Sequence, residues 1–343
     1  MRAVALLSGG LDSTLAIRLM LDQGIEVAAL NCVSVFCTCT PKSFGCSAAR
    51  VAVRQLGVEL KTISTSAELL DVVKKPKHGY GKNLNPCLDC RIVTFRKARE
   101  YMDEAGASFL VTGEVLGERP MSQRREAMKL IEAEAGVAGL VVRPLSAALL
   151  EPTIPERNGW IDRARLLGSQ GRSRKPQIEL ARQYGIADYP CPAGGCRLTD
   201  RGFAERMRDL MAHTRDFSLD DVKLLKLGRH FRLSPTAKVV IGRDEKENKE
   251  LIALACEHDV LVEVVGFSGP VALVRGAPSH DELLRVAAVT AGYGKARNEG
   301  QVQVRVWGTN GGATAQVLVA PADAGILQRV SAESSRREEC QAK

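Results

Sequence analysis

Ser8-Gly9-Gly10-Leu11-Asp12-Ser13 follows the apolar run Ala3-Val4-Ala5-Leu6-Leu7 and opens an amphipathic stretch, an order of residue types suited to gripping pyrophosphate. The two glycines let the backbone turn tightly and approach a ligand with no Cβ in the way. The N–H groups of the turn and of the first helical turn then point at one spot, which attracts anions. The hydroxyls of Ser8 and Ser13 can donate to phosphate oxygens, and Asp12 is placed to help hold the Mg²⁺ that neutralises a triphosphate. The loop is not a Walker motif, because neither Gly81-Lys82 nor Gly294-Lys295 is followed by Ser or Thr. A Gly-Gly turn between strand and helix needs no ligand; the whole Ser-Gly-Gly-x-Asp-Ser string is what favours a phosphate site.

At these residues, Ser8, Gly9, Gly10, Leu11, Asp12 and Ser13, the chain resembles the PP-loop ATP pyrophosphatases. Those enzymes split ATP between the α and β phosphates and transfer AMP to an oxygen of the substrate, so the resemblance implies adenylation.

A second chemistry rests on sulfur. The chain has 10 cysteines, too many to dismiss and, in the cytosolic chain expected below, in the wrong compartment for a disulfide framework. Cys87-Leu88-Asp89-Cys90 follows the turn-forming Asn85-Pro86 and precedes a stretch rich in Arg and Lys, so both thiols start a helix, where thiolates are stabilised. This spacing suits a redox disulfide, half of a zinc site or part of an iron-sulfur site. A third thiol decides, and Tyr189-Pro190-Cys191-Pro192-Ala193-Gly194-Gly195-Cys196 offers two. The Gly194-Gly195 lead lets Cys196 approach a cluster closely, whereas Cys191 is held between two prolines, so Cys196 is favoured and Cys191 is the alternative. Cys37, Cys39 and Cys46, with Cys32, could form a second metal site, a relay of thiols or isolated thiols in a loop. Cys256 and Cys340 read as structural or incidental. Three cysteines on a [4Fe-4S] cluster leave one iron without a protein ligand, a position open to hydrosulfide. Combined with a pyrophosphatase loop this makes one reaction: AMP activates a carbonyl oxygen, sulfur attacks that carbon, AMP leaves, and a thiocarbonyl remains.

The elements that must carry these residues alternate. Strands are expected near 3–7, 26–31, 59–64, 109–112 and 140–143 with helices between them, which predicts an α/β domain with a doubly wound parallel sheet. The first helix runs to about Gln23 and stops at Gly24; the next, from about Ser47 to Leu56, stops at Gly57. Ligands of such sheets sit at the carboxyl ends of the strands, where the Ser8 loop lies. Two long loops, 33–45 and 72–90, interrupt the pattern and carry cysteines, which argues for function. The domain edge is expected near Leu150, with 151–233 a connector holding basic residues and the Cys191/Cys196 loop. A smaller α/β domain is expected over 234–330, with strands near 238–241, 260–264, 272–274 and 302–307 and helices over 244–255 and 280–291; 331–343 reads as a frayed tail.

At 343 residues the chain has room for two domains, and 45% hydrophobic with 26% charged residues marks a globular protein rather than a disordered one. The start at Met1-Arg2-Ala3-Val4 enters the first strand directly, and no apolar run approaches the ~18 residues of a membrane span, so no membrane is expected and the cytoplasm is. The net charge of +8 is concentrated in Lys74, Lys75, Lys77, His78 and Lys82 and in Arg163, Arg165, Arg172, Arg174 and Lys175. Such clusters suit a polyanion as well as plain solvent.

Further resemblances sharpen this. The segment 112–123, Thr-Gly-Glu-Val-Leu-Gly-Glu-Arg-Pro-Met-Ser-Gln, resembles a motif of the tRNA 4-thiouridine synthetases, and Arg143-Pro144-Leu145 resembles their next one. In it Gly113 brings backbone near the nucleotide, Glu114 can hold a hydroxyl or Mg²⁺, and Ser122 and Gln123 are expected to begin a helix. Cys-x-x-Cys with one later cysteine is similar to the iron-sulfur-dependent tRNA thiolases, which by position implies Cys87, Cys90 and either Cys191 or Cys196 as cluster ligands. These likenesses cover roughly residues 1–200. The run 242–251, with Gly269-Pro270-Val271 and Ala287-Ala288, looks like the RNA-binding domain of ribosome quality-control (NFACT) factors and covers about a quarter of the chain. The familiar thiouridine synthetases place their RNA-binding domain before the pyrophosphatase domain, unlike this chain. The expectation is an ATP-dependent tRNA sulfurtransferase using ATP, Mg²⁺ and a [4Fe-4S] cluster, with tRNA and a sulfide or persulfide donor as partners and Lys74, Lys75, Lys77, Arg172, Arg174 and Lys175 gripping RNA. The alternatives are an ammonia-using ligase with structural zinc and an RNA-binding factor that only senses ATP; a homodimer, the modified base and the sulfur donor stay open.

Overall fold

The computed structural model describes residues 1–38, 47–189, 195–309 and 314–330. The chain divides into two compact units, Met1–Thr199 and a second from Asp200 onward.

In the first unit, β1 (Arg2–Leu6), β2 (Glu26–Val33), β3 (Glu59–Ser64), β4 (Phe109–Thr112) and β5 (Val141–Val142) form one parallel sheet in the order β3-β2-β1-β4-β5. Its helices are α1 (Leu11–Leu21), α2 (Ser47–Leu56), α3 (Ser66–Lys74), α4 (Cys87–Glu104), α5 (Arg125–Ala135), the short α6 (Ile154–Arg157) and α7 (Lys175–Gln183). Strand β1 shows why the sheet is doubly wound. Ala3 and Ala5 face a cluster with Leu11, Leu15, Ile17 and Met20 of α1, Ala49 and Ala52 of α2 and Ala181 of α7. Val4 and Leu6 face another with Ile92, Phe95 and Ala98 of α4 and Ile131 of α5. A strand buried on both faces must be apolar throughout, as Ala3 to Leu7 is. The helices α1 and α2 end before Gly24 and Gly57, both at positive φ, as expected.

The stretch after Leu150 is not a separate connector throughout. Ile161, Leu166, Ala181 and Ile186 complete the apolar cluster under α1, and the Leu167 N–H donates to the Pro144 carbonyl at 2.8 Å. The apolar side of α7 finds its partner in α1, so the boundary falls after Thr199 rather than near Leu150.

The second unit holds α8 (Arg201–His213), α9 (Leu219–Leu224), β6 (Arg229–Ser234), β7 (Ala237–Ile241), α10 (Glu245–Ala253), β8 (Val260–Val264), β9 (Val271–Gly276), α11 (His280–Gly292), β10 (Val302–Gly308), β11 (Ala315–Val319) and β12 (Gln328–Arg329). Its strands make one antiparallel sheet, β11-β10-β8-β9-β7-β6-β12. The strands and helices expected from the sequence are present; β6, β11 and β12 add to them. The residues of β6, Arg-His-Phe-Arg-Leu-Ser, are too polar to read as a strand alone, and pairing with the apolar β7 fixes them. Val286 and Ala287 of α11 cover one face of the sheet and Leu251 of α10 the other.

In the first sheet the strand order reverses between β1 and β4, and the crevice beyond their carboxyl ends is where such sheets take ligands. Two glycines make the crevice tight. A Cβ on Gly9, at φ +79°, would lie 2.5 Å from the Ala49 nitrogen of α2, and one on Gly113 would lie 2.4 Å from the Ser13 nitrogen of α1. Gly113→Ala forces backbone against backbone, and we expect it to cost about 1–3 kcal/mol in urea denaturation and to weaken nucleotide binding in the same protein.

Candidate active site

The loop after β1 is built around the start of α1. The Ser13 hydroxyl donates to the Gly10 carbonyl at 2.9 Å and the Thr14 hydroxyl to the same carbonyl at 3.0 Å, while the Gly10 N–H donates to Ser8 Oγ at 3.3 Å. Ser8 Oγ and Ser13 Oγ are 3.2 Å apart. Below the loop the Asn31 amide donates to the Leu7 carbonyl at 2.7 Å, which anchors the strand end. Ser8, Gly9, Gly10, Leu11, Asp12 and Ser13 thus sit where the sequence places them, at a strand end and a helix N-terminus aimed into the crevice.

Asp12 is the charged group of this loop. Burial pushes its carboxyl above the ordinary carboxylate range, and Arg174, Gln177 and Arg119 work against that rise. Glu118 is raised too, first by burial and then by Asp12. The Gln177 amide lies beside Asp12, yet the pair does not reach hydrogen-bond geometry: among the described residues, Asp12 Oδ1, both polar atoms of Gln177 and Arg174 Nε are buried without a partner. Buried polar atoms left unpaired in one place mark where a ligand, ion or water belongs. Arg174 was expected with the RNA-gripping cations; the structure sets it against Asp12, while Arg172 and Lys175 are exposed. Gln177 was not singled out from the sequence, and its signal was only its place two residues after Lys175 in the basic segment.

Glu114, expected at the nucleotide, gives each carboxylate oxygen to an arginine. Arg91 Nη2 donates to Oε1 at 2.7 Å and Arg143 Nε to Oε2 at 3.0 Å. Burial raises the Glu114 carboxyl, but the two guanidinium groups outweigh it and hold it below the usual range. Arg143 also reaches Glu132 of α5. The pair ties the end of β4 to α4 beside the thiols. Gln123 lies before α5, which begins at Arg125, and its side chain accepts the Arg119 N–H at 2.8 Å.

The thiols converge from three segments. Cys87 and Cys90 occupy the first turn of α4, and Asp89 between them accepts the N–H groups of Lys77 and His78 at 3.2 and 3.0 Å, pinning the preceding loop. That loop is docked on the segment after Cys196: the Leu84 N–H donates to the Leu198 carbonyl at 3.2 Å and the Asn83 amide to the Thr199 carbonyl at 2.8 Å. Cys37 pairs with Cys196 in an isolated antiparallel bridge. Burial pushes the Cys90 thiol up to about 12, with Cys196, Cys87 and Cys37 adding to the rise. Burial likewise takes Cys196 to about 11, with Cys37 and Cys87 adding to it. Cys32 also rises to about 12 by burial. Cys39, Cys46, Cys191 and Cys340 lie outside the described residues.

Among the described residues, no three His, Cys, Asp or Glu side chains are grouped as a preformed metal site. The donor set nonetheless fits a thiolate-ligated centre in kind: Cys87, Cys90 and Cys196 share one neighbourhood, and thiols are donors a soft metal prefers. Of the expected RNA contacts in the first unit, Lys77 pairs with Glu134 at 2.8 Å and Lys75 is exposed.

Residues 1–154 match the family described as "Thiamine biosynthesis protein (ThiI)", and residues 228–329 match "NFACT protein RNA binding domain". A tRNA-specific 2-thiouridylase of Marinobacter nauticus is 26% identical over 314 residues, spanning 81% of this chain and 75% of its own length. A probable tRNA sulfurtransferase of Methanosarcina mazei is 30% identical over 129 residues, 34% of this chain and 29% of that protein. Among solved structures, a 4-thiouridine synthetase–RNA complex with bound ATP is 24% identical over 54% of this chain and 41% of that one, with a TM-score of 0.37. A U34-tRNA thiolase from Methanococcus maripaludis with its [4Fe-4S] cluster is 15% identical over 66% and 73%, with a TM-score of 0.29.

Two substitutions probe this geometry. Glu114→Gln takes the anion from Arg91 and leaves Arg143 with Glu132 alone, and should cost about 3–5 kcal/mol of stability, read by urea denaturation. Arg174→Gln removes a cation that lowers the Asp12 carboxyl, so Asp12 stays protonated to higher pH. The acidic limb of MgATP binding, titrated across pH, should therefore move upward; an unmoved limb separates Arg174 from Asp12.

Proposed function

We propose that this chain, with its ThiI match over residues 1–154 and its NFACT-type RNA-binding match over 228–329, is an ATP-dependent tRNA sulfurtransferase. It adenylates a uridine carbonyl oxygen and replaces that oxygen with sulfur. The observation that carries the reading is the joining, within one unit, of a phosphate loop to a converging set of thiols. Neither feature alone separates thiolation from other adenylations.

In the loop, backbone N–H groups at the start of α1 bind and orient the triphosphate, with the Ser8 hydroxyl as a further donor and the Ser13 hydroxyl able to join it by turning from the Gly10 carbonyl. Asp12 would hold the accompanying Mg²⁺, which would supply positive charge against the phosphates. Arg174 and Arg119 keep Asp12 closer to its ionised form despite burial and add positive charge beside the phosphates. Gly113 lets β4 approach the nucleotide with backbone alone.

Cys87, Cys90 and Cys196 would hold a [4Fe-4S] cluster, with Cys191 the alternative to Cys196. Bound there, the cluster would supply nucleophilic sulfur in place of a donor cysteine. The Glu114–Arg91 pair, next to Cys90 in sequence, fixes the turn that presents the first two thiols. Transfer RNA is held by the second unit together with the exposed cations Lys75, Arg172 and Lys175, with Lys74 and Lys77 alongside. The partners are then tRNA and a sulfide or persulfide donor, and the place of work is the cytoplasm. Among the described residues no helix is long and apolar enough to cross a membrane.

Purified protein given MgATP and tRNA should release pyrophosphate, and Asp12→Ala should abolish the release without loss of fold. Release that is independent of RNA, or that survives Asp12→Ala within twofold, contradicts the reading. Binding to tRNA should weaken steeply with salt, and exchanging Lys74, Lys75 and Lys77 for Glu should weaken it further while sparing ATP binding.

A further inference from the structure

Cys37, like Cys32, is a thiol of this region that the reaction above leaves without a task. Among the described cysteines its backbone is the one bridged to that of Cys196. The Thr38 N–H donates to the Gly195 carbonyl at 3.2 Å and the Arg197 N–H to the Phe36 carbonyl at 2.9 Å, on either side of the Cys37–Cys196 bridge. The Thr38 hydroxyl reinforces the first of these contacts, donating to the Gly195 carbonyl at 2.8 Å and accepting the Gly195 N–H at 3.1 Å.

This pattern makes Cys37 and Cys196 a non-hydrogen-bonded cross-strand pair. In such pairs the Cα atoms are about 4.5 Å apart and the side chains leave on the same face. A disulfide requires roughly 4.4–6.8 Å between Cα atoms, so the backbone already stands at bridging distance. Cys87 and Cys90 leave from a helix and have no such register with Cys196. The sulfur of Cys37 is also oriented, accepting the Ser34 N–H at 3.3 Å with Ser34 Oγ at 3.5 Å. Both cysteines are partly exposed, so a small oxidant can reach them.

We propose that Cys37 is a fourth thiol of the site and the oxidation partner of Cys196, so that Cys196 alternates between a metal centre shared with Cys87 and Cys90 and a disulfide with Cys37. The oxidant is a low-molecular-weight disulfide. The Cys196 thiolate attacks one of its sulfurs, forming a mixed disulfide and expelling one small thiol. The Cys37 thiolate then attacks the Cys196 sulfur; the new S–S bond forms, the mixed bond breaks, and a second small thiol leaves. Two electrons and two protons pass from the protein thiols to the oxidant. The cross-link does not depend on the sulfurtransferase reading; only the alternation with a metal rests on the thiol centre proposed there.

The full chain, stripped of metal and reduced, is treated with oxidised glutathione, its remaining thiols are alkylated, and its peptides are mapped by mass spectrometry. The expected result is a peptide pair joining Cys37 to Cys196, with loss of alkylation at both, and in Cys37→Ser a glutathione adduct left on Cys196. Cys196 joined instead to Cys87 or Cys90, or Cys37 still fully alkylated, overturns the pairing. Zinc added before the oxidant should suppress the cross-link and leave Cys37 alkylated, because the metal occupies Cys196. A cross-link undiminished by zinc, with the pairing itself intact, overturns the alternation and the shared metal centre together.

Discussion

The first unit depends on one buried carboxylate. Glu114 leaves the end of β4 and binds Arg91 on one side and Arg143 on the other. A carboxylate this deep is stable as an ion only because both oxygens are met by cations. The consequence is positional. Arg91 follows Cys90 in the first turn of α4, and Arg143 follows β5, so one side chain fixes a helix start and two strand ends around the crevice. Arg91 also lies over the Phe95 ring at 4.9 Å, which holds its guanidinium against the helix.

Around that anchor the two halves of the chemistry are kept in different surroundings. The loop at Asp12 faces Arg119 and Arg174 and leaves polar atoms unpaired, a setting for a highly charged ligand. Burial pushes the Cys90 and Cys196 thiols up, a setting in which a soft metal exchanges for protons. In the reaction proposed above, a carbonyl activated at the first site would have to meet sulfur from the second, and both lie within one unit.

Much of this was legible in the sequence, for physical reasons that differ by element. The inner strands β1, β2 and β4 announced themselves because strands buried on both faces are largely apolar, and the helix ends because Gly24 and Gly57 adopt positive φ. The turn between β1 and α1 was legible because few residue types permit it. Glu114 was recognised as important but placed at the nucleotide, since its two arginines are 23 and 29 residues away in the chain and nothing local signals them. Arg174 read as one of a run of surface cations, and only the packing of α7 on α1 brings it to Asp12. The edge near Leu150 was drawn where regular elements thin out, whereas Ile161, Leu166 and Ile186 fold back into the first core. The bridge of Cys37 to Cys196 joins two irregular loops, for which no periodicity exists to be read.

The central claim is that this chain places sulfur in tRNA. Its most direct test is mass spectrometry of the nucleosides in tRNA from cells with and without the gene, repeated with the Asp12→Ala form restored. A thiolated nucleoside present only when the intact chain is present, and absent with Asp12→Ala, is the predicted result. Identical nucleoside profiles in all three contradict it.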